Sequence, residues 1–497
     1  MSLCTAVYRG RSMNRLLRFF GIAFIFTTII PSLVMLYGLT RQPQIPKHSV
    51  LRITLDGPLP ELARPTLQSL VSQRMHHSLR QVTQSIRAAA HDKRIVGMVL
   101  EIRTAGLGLA QISELRDAVG EFRGSDKFNL AYLQSAGEDG IYALATAASQ
   151  VALSPAAEIN LTGLRAEVPF LKDTFARLKV RPYTEQRYEF KNYANTFTQD
   201  GFTPEHLTAL KGVMDDLQQT MVTMIAGGRG LGDDEARSAV AGAPWSAEAA
   251  LQHKLVDRLA YWDEIRDEAE KLTGRHDPFV DLDTYAAQLS HKGGIDVAYI
   301  VGSGQIDMGD SGKSPVETKD SMGAETLMQA FREAREDGAK AVVFRVDTPG
   351  GSALASDLIR REVELTRKAG IPMVISMGNV AASGGYMVST DADHIVVEPG
   401  TITGSIGVLA ASFPLREALQ HFTGLRFGVY ESLPHPGSIN GLDPPTEADR
   451  QRIGRSVDQV YHAFVSRVAD SRHKTYEEVH AIAKGRIWSG TQAVKLG

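Results

Sequence analysis

Two stretches of this chain carry side chains whose types could do chemistry together. The first is an apolar run from Ile371 that shortens to small residues and ends in Ala381-Ala382-Ser383-Gly384-Gly385-Tyr386. Such a run predicts a buried strand feeding a tight turn into a helix, with Ser383 at the helix entrance. Backbone N–H groups there lack intrahelical partners and the macrodipole is positive, so the position favours a hydroxyl oxygen and any oxyanion near it. The plainer account is an N-cap serine on a tightly packed helix. Three features weigh against it: Asp347-Thr348-Pro349-Gly350-Gly351-Ser352 upstream, a Gly404-Ser405 loop downstream, and a duplication whose first copy lacks the serine. The second stretch is Tyr188-Glu189-Phe190-Lys191-Asn192-Tyr193. A lysine is a base only when neutral. Lowering its pKa from about 10.4 to roughly 8 takes about 3 kcal/mol, and burial beside Phe190 and Tyr193 is the available lever. Glu189 would oppose the shift if it shared the lysine's face. His394 invites a Ser-His-Asp reading, but Asp393-His394-Ile395-Val396 has the pattern of a strand start.

The elements that must position these residues come in two copies. Residues 95–155 align without a gap onto 339–399, so that Thr104-Ala105-Gly106 meets Thr348-Pro349-Gly350 and Tyr142 meets Tyr386. Thr162-Gly163 answers Thr403-Gly404, and Trp245-Ser246 answers Trp488-Ser489. Each copy alternates strands and helices and then runs into a long amphipathic helix, which implies α/β architecture with mainly parallel sheets flanked by helices. The differences carry the information. Ser383 aligns with Asp139, whereas the segment around Lys191 has no lysine counterpart in Tyr430-Glu431-Ser432. One half lacks the hydroxyl and the other the amine.

A chain of 497 residues, 43% hydrophobic and 22% charged, has room for two or three globular domains. A net charge of -3 gives no reason to expect nucleic acid, and the single cysteine, Cys4, excludes a disulfide framework or a cysteine metal site. No phosphate-binding glycine loop or metal-ligand cluster stands out, so neither cofactor nor metal is expected. The stretch from Phe19 to Leu39 is apolar and uncharged, preceded by Arg9, Arg11, Arg15 and Arg18. It is long enough to cross a bilayer, and the positive-inside rule keeps the N-terminus in the cytoplasm. An uncleaved anchor is favoured over a signal peptide because no Ala-x-Ala site follows. The organisation expected is a basic N-terminus over 1–18, a transmembrane helix over 19–40, a first repeat over 49–272, a connection over 273–294 and a second repeat over 295–497.

Asp347-Thr348-Pro349-Gly350-Gly351-Ser352, Ala381-Ala382-Ser383-Gly384-Gly385-Tyr386 and Thr403-Gly404-Ser405-Ile406-Gly407, preceded by Phe190-Lys191-Asn192-Tyr193, resemble the motifs of the long, duplicated signal peptide peptidases of SppA type. These are serine proteases of peptidase family S49 in the ClpP/crotonase-like superfamily. The resemblance implies tandem ClpP/crotonase-like repeats, with Ser383 as nucleophile, Lys191 as general base and Ser405 orienting the lysine. It further implies backbone N–H donors to the oxyanion from Gly350, Gly351 and Gly384. The family's Asn-Ser before Pro-Gly-Gly is here Asp347-Thr348. The second copy ends at Gly497, before a match to Leu255-Val256-Asp257, so it is expected to lack the last strand and helices of a repeat.

The chemistry expected is attack by Ser383 on a peptide carbonyl with proton transfer to Lys191, in an enzyme anchored in the bacterial cytoplasmic membrane with its catalytic part on the extracytoplasmic side. The expected partners are signal peptide remnants or other apolar membrane-derived peptides, membrane lipid around the anchor, and further copies of the chain, with a tetrameric ring as one form. Two other classes compete: an inactive membrane-bound peptide-binding scaffold, and a crotonase-like acyl-CoA enzyme.

Overall fold

The computed structural model describes residues 44–63, 77–135, 137–289, 293–312, 321–430, 432 and 441–497. The expected basic N-terminus and membrane anchor, 1–18 and 19–40, lie outside the described residues. Among the described residues no helix is long and apolar enough to cross a membrane.

In chain order the first unit comprises β1 (Ser49–Asp56), α1 (Leu79–His91), β2 (Ile95–Thr104), α2 (Leu109–Arg123), β3 (Phe128–Leu133), α3 (Asp139–Ala145), β4 (Gln150–Leu153), β5 (Tyr183–Arg187), α4 (Pro204–Arg229), β6 (Arg258–Leu259) and β7 (Phe279–Asp281). Its sheet runs β7-β1-β2-β3-β4-β6 with every pairing parallel. Val50, Leu51, Ile53 and Leu55 of β1 are all buried, as expected of a parallel strand covered on both faces. One correction concerns the connection expected over 273–294. Its apolar Phe279 and Val280 pair with Val50 and Leu51 at the open edge of β1, and Leu282 and Tyr285 bury against the first core. Those residues belong to the first unit because they cover an otherwise exposed strand edge.

The second unit comprises β8 (Val297–Ser303), β9 (Gln305–Asp307), α5 (Ala324–Glu336), β10 (Ala341–Thr348), α6 (Ala353–Lys368), β11 (Met373–Ala382), α7 (Gly384–Met387), β12 (His394–Val396), β13 (Ile402–Gly404), β14 (Val408–Ser412), α8 (Glu447–Arg472), α9 (Tyr476–Ile482) and β15 (Ile487–Ser489). Strands β8, β10 and β11 are parallel neighbours. β11 then pairs with β12 along its first half and with β13 at its end, and β15 closes on β13 antiparallel. The path β8-α5-β10-α6-β11-α7-β12 repeats β1-α1-β2-α2-β3-α3-β4, so the duplication read from the sequence is a duplication of structure.

Two of the features that join the units among the described residues bear on the site. Arg345 of β10, 3% exposed, donates to both carboxylate oxygens of Glu61 at 2.9 and 3.0 Å and meets Glu114 of α2 at 2.6 Å. The second feature places the site: β5 stands apart from the first unit's sheet and pairs antiparallel with β14, Arg187 opposite Val408 and Tyr183 opposite Ser412. Arg187 is tied down further by Asp458 of α8 at 2.6 Å. This register delivers the residues just after β5, Lys191 among them, to the residues just before β14, among them Ser405.

Candidate active site

Strand β11 ends where Ser383 turns the chain into α7. Ser383 has φ +55° and ψ -114°, a conformation that costs a non-glycine residue of order 1–3 kcal/mol and puts its side chain at the tip of a sharp strand-to-helix elbow. Its N–H donates to Gly404 O at 2.9 Å, and its carbonyl accepts from Met387 N–H. Ser383 stands at the N-cap position of α7, but its hydroxyl makes no capping hydrogen bond. The plain N-cap account therefore fails on geometry. The hydroxyl meets Lys191 instead: Nζ to Ser383 Oγ is 2.9 Å. Lys191 Nζ also lies 2.9 Å from Ser405 Oγ and 3.0 Å from Ser405 O. Ser405 adopts φ +49°, and its N–H donates to Arg486 O at 2.7 Å.

Lys191 is 8% exposed, and burial pulls its pKa down to about 8. The cover differs from the aromatic pair expected beside it, since Tyr193 is 67% exposed. It comes from the segment between α9 and β15, where Gly485 lies flat on the lysine backbone. A Cβ there would stand 2.5 Å from Lys191 Cβ and 2.6 Å from its Cα and N, and Gly485 has φ +85°. Only glycine fits both the space and the dihedral. Lys484 O accepts from the N–H groups of Tyr188 and Phe190, and Gly485 N–H donates to Ile406 O, so the strap is pinned on both sides. Glu189 does not share the lysine's face; it pairs with Lys484 Nζ at 2.9 Å.

The glycines expected at the oxyanion pack against the elbow, but they are not equivalent. A Cβ on Gly350 would meet Gly384 N at 2.7 Å and Ser383 Cβ at 2.9 Å, and one on Gly384 would meet Ser356 Oγ at 2.4 Å, so neither site tolerates a side chain. The Gly350 N–H is already engaged, donating to Thr348 Oγ1 at 3.0 Å. Gly350 is therefore corrected from a donor toward the cavity to part of the turn that shapes it. Neither Gly351 N–H nor Gly384 N–H has a partner among the described residues. His394 pairs with Val374 at the far end of β11, roughly 30 Å of strand from Ser383, and takes no part.

Ser383, Lys191, Ser405, Gly351 and Gly384 all line one cavity of about 750 Å³, whose other walls include Val380, Met387, Leu409, Val460 and Phe464. A hydroxyl, a buried amine, unengaged amides and an apolar trough form a set suited to acyl transfer on an extended apolar chain. Among the described residues no cluster of side chains is arranged to hold a metal ion. Sequence reasoning did not single out Gly485, although a signal was there: both copies place a glycine three residues before Trp-Ser, Gly242 before Trp245 and Gly485 before Trp488.

Against known proteins, the family model described as Peptidase family S49 matches residues 121–275 and 366–497. The chain is 30% identical over 437 residues to Protease 4 of Salmonella typhi, covering 85% of this chain and 69% of that protein. It is 28% identical over 470 residues to the chloroplastic serine protease SPPA of Arabidopsis thaliana, covering 91% and 67%. Among solved structures, ClpP1 from Listeria monocytogenes matches 40% of this chain and 86% of that one, at 11% identity and a TM-score of 0.25.

Proposed function

The chain belongs to peptidase family S49 and is a serine protease, and on that basis we propose that it works through a Ser383–Lys191 dyad on apolar peptides at a membrane. The observation that carries the dyad is the 2.9 Å contact between Lys191 Nζ and Ser383 Oγ, made by a lysine that is itself buried. Neutral Lys191 has two N–H bonds and one lone pair. With the N–H bonds directed at Ser405 O and Ser405 Oγ, the lone pair is left facing the Ser383 hydroxyl. Ser405 is thus the residue that orients the base. Ser383 Oγ attacks the peptide carbonyl as its proton passes to Lys191. The oxyanion takes hydrogen bonds from the Gly351 and Gly384 N–H groups, and the lysine returns the proton to the departing amine. Water, activated by the same lysine, then frees the acyl group and restores Ser383.

The apolar cavity supports cleaved signal peptides or similar membrane-derived fragments as substrates. The apolar stretch over 19–40, with its basic flank, supports a single-pass anchor that leaves the protease on the extracytoplasmic face of a bacterial cytoplasmic membrane. The repeats are read as ClpP/crotonase-like units, and the working form as a homo-oligomer. A fluorophosphonate probe tests the chemistry: Ser383 is the labelled residue. Ser383→Ala abolishes labelling and lowers peptide hydrolysis by roughly 10⁴–10⁶-fold. Hydrolysis surviving in Ser383→Ala would overturn the assignment.

A further inference from the structure

Thr348 closes β10 and is fully buried next to the elbow, and the mechanism above leaves its hydroxyl without a role. Its Oγ1 accepts the Gly350 N–H at 3.0 Å, and its methyl packs behind α7, where a Cβ on Gly385 would meet Thr348 Cγ2 at 2.7 Å. On the other side of Gly350 the carbonyl accepts from Ile306 N–H of β9 at 3.0 Å, and Ser352 N–H donates to Ile306 O at 2.8 Å. The peptide between Gly350 and Gly351 is thus held through its own carbonyl, and the peptides on either side of it are bonded as well. Because a trans peptide directs its N–H opposite to its C=O, a carbonyl held on β9 turns the Gly351 N–H away from β9, and Gly351 lines the same cavity as Ser383. Gly350 with φ +100° and Gly351 with φ +159° have no side chain to hold that orientation. The hydroxyl of Thr348 and the Ile306 peptide hold it instead.

We propose that Thr348 is a positioning residue of the oxyanion site, its hydroxyl locking the Gly350 N–H so that Gly351 presents its own N–H beside that of Gly384. The proposal rests on the Ser383–Lys191 reading and adds to it a division between the two glycines: one amide is tied to the chain, the other is kept for the transition state. A free Gly350–Gly351 turn would have to be ordered at each turnover. A locked one meets developing charge without reorganisation, and preorganised donors stabilise the oxyanion most.

The substitutions separate the two halves of the side chain. Thr348→Val keeps both branches and loses the acceptor; Thr348→Ser keeps the acceptor and loses the methyl. The full chain in detergent is assayed for kcat and KM on an apolar fluorogenic peptide, with kcat normalised to the end-point of fluorophosphonate labelling at Ser383. Thr348→Val is expected to lower normalised kcat by about 10–100-fold, a fraction of what loss of a whole oxyanion donor costs. KM should stay within about twofold and the ascending limb of the pH profile near 8, while Thr348→Ser returns kcat to within about threefold of the natural chain. Equal damage from both variants, or a loss explained wholly by fewer labelled sites, would mean a packing role and overturn the proposal. Natural kcat in Thr348→Val would overturn it as well. Failure of the dyad itself would show separately, as absent labelling of the natural chain.

Discussion

The lowered basicity of Lys191 has a direct kinetic consequence. With a pKa of about 8, only about one lysine in ten is neutral at pH 7, so kcat/KM should rise roughly tenfold from pH 7 to a plateau above pH 9. An unperturbed lysine would place that limb near 10.4. The difference corresponds to about 3 kcal/mol of ammonium destabilisation, close to what burying a single side chain amine supplies. The assay is kcat/KM on an apolar fluorogenic peptide across pH 5.5–10, repeated at low and high salt. Burial is the cause of the shift, and no neighbouring cation produces it, so about 0.5 M salt should leave the limb in place, whereas a limb set by exposed charges would move. Lys191→Ala should remove the limb along with the activity. A limb near 6.5, the range of an ordinary histidine, or one above 10 would rule out a buried neutral lysine as the base. So would a limb that salt displaces by more than about half a pH unit.

The same depressed pKa makes a stability prediction of defined sign. Between about 8 and 10.4 the folded chain binds fewer protons than the unfolded one, so the natural chain gains stability as pH rises through that window and bears the full cost below it. Lys191→Met should therefore be favoured relative to the natural chain by up to about 3 kcal/mol more at pH 7 than at pH 10.4, read from denaturant midpoints; a pH-independent difference would contradict this. Gly485→Ala should cut kcat by at least tenfold, because the new Cβ strikes the Lys191 backbone. Gly424→Ala is the control, with a similar φ of +74° and open space around it: it should cost about 1 kcal/mol of stability and leave turnover intact. Glu61→Ala strands most of the buried Arg345 guanidinium between the two units and should destabilise the chain by about 3 kcal/mol in the same unfolding assay.

The parts legible in the sequence were those where the two copies differ at matched positions. Asp139 opposite Ser383, and a lysine segment with no answer in the second copy, pointed to a reaction centre divided between the units, because drift at one aligned position is visible against an intact neighbour. The strands were equally plain, since residues 50–57 and 297–304 each read as a short strand ending in glycine. Contacts made by backbone were not legible. The Gly350 N–H bonded to Thr348, the Gly485 strap over Lys191 and the pairing of Phe279 with Val50 depend on where chain segments lie in space, and side-chain pattern does not encode that. Aromatic neighbours proved a poor guide to burial: Tyr193 stands in the solvent while a glycine supplies the cover.

The dyad proposed above draws both of its halves from a single chain, and mixing two inactive variants puts that to the proof. Lys191→Ala and Ser383→Ala chains, each inactive alone, are to be combined under conditions that allow subunits to exchange, and peptide hydrolysis measured. Since Lys191 Nζ stands 2.9 Å from Ser383 Oγ within a single chain, the mixture should remain inactive. Recovery of activity would mean that the amine of one chain serves the hydroxyl of another, and the dyad would then belong to the assembly rather than to the chain.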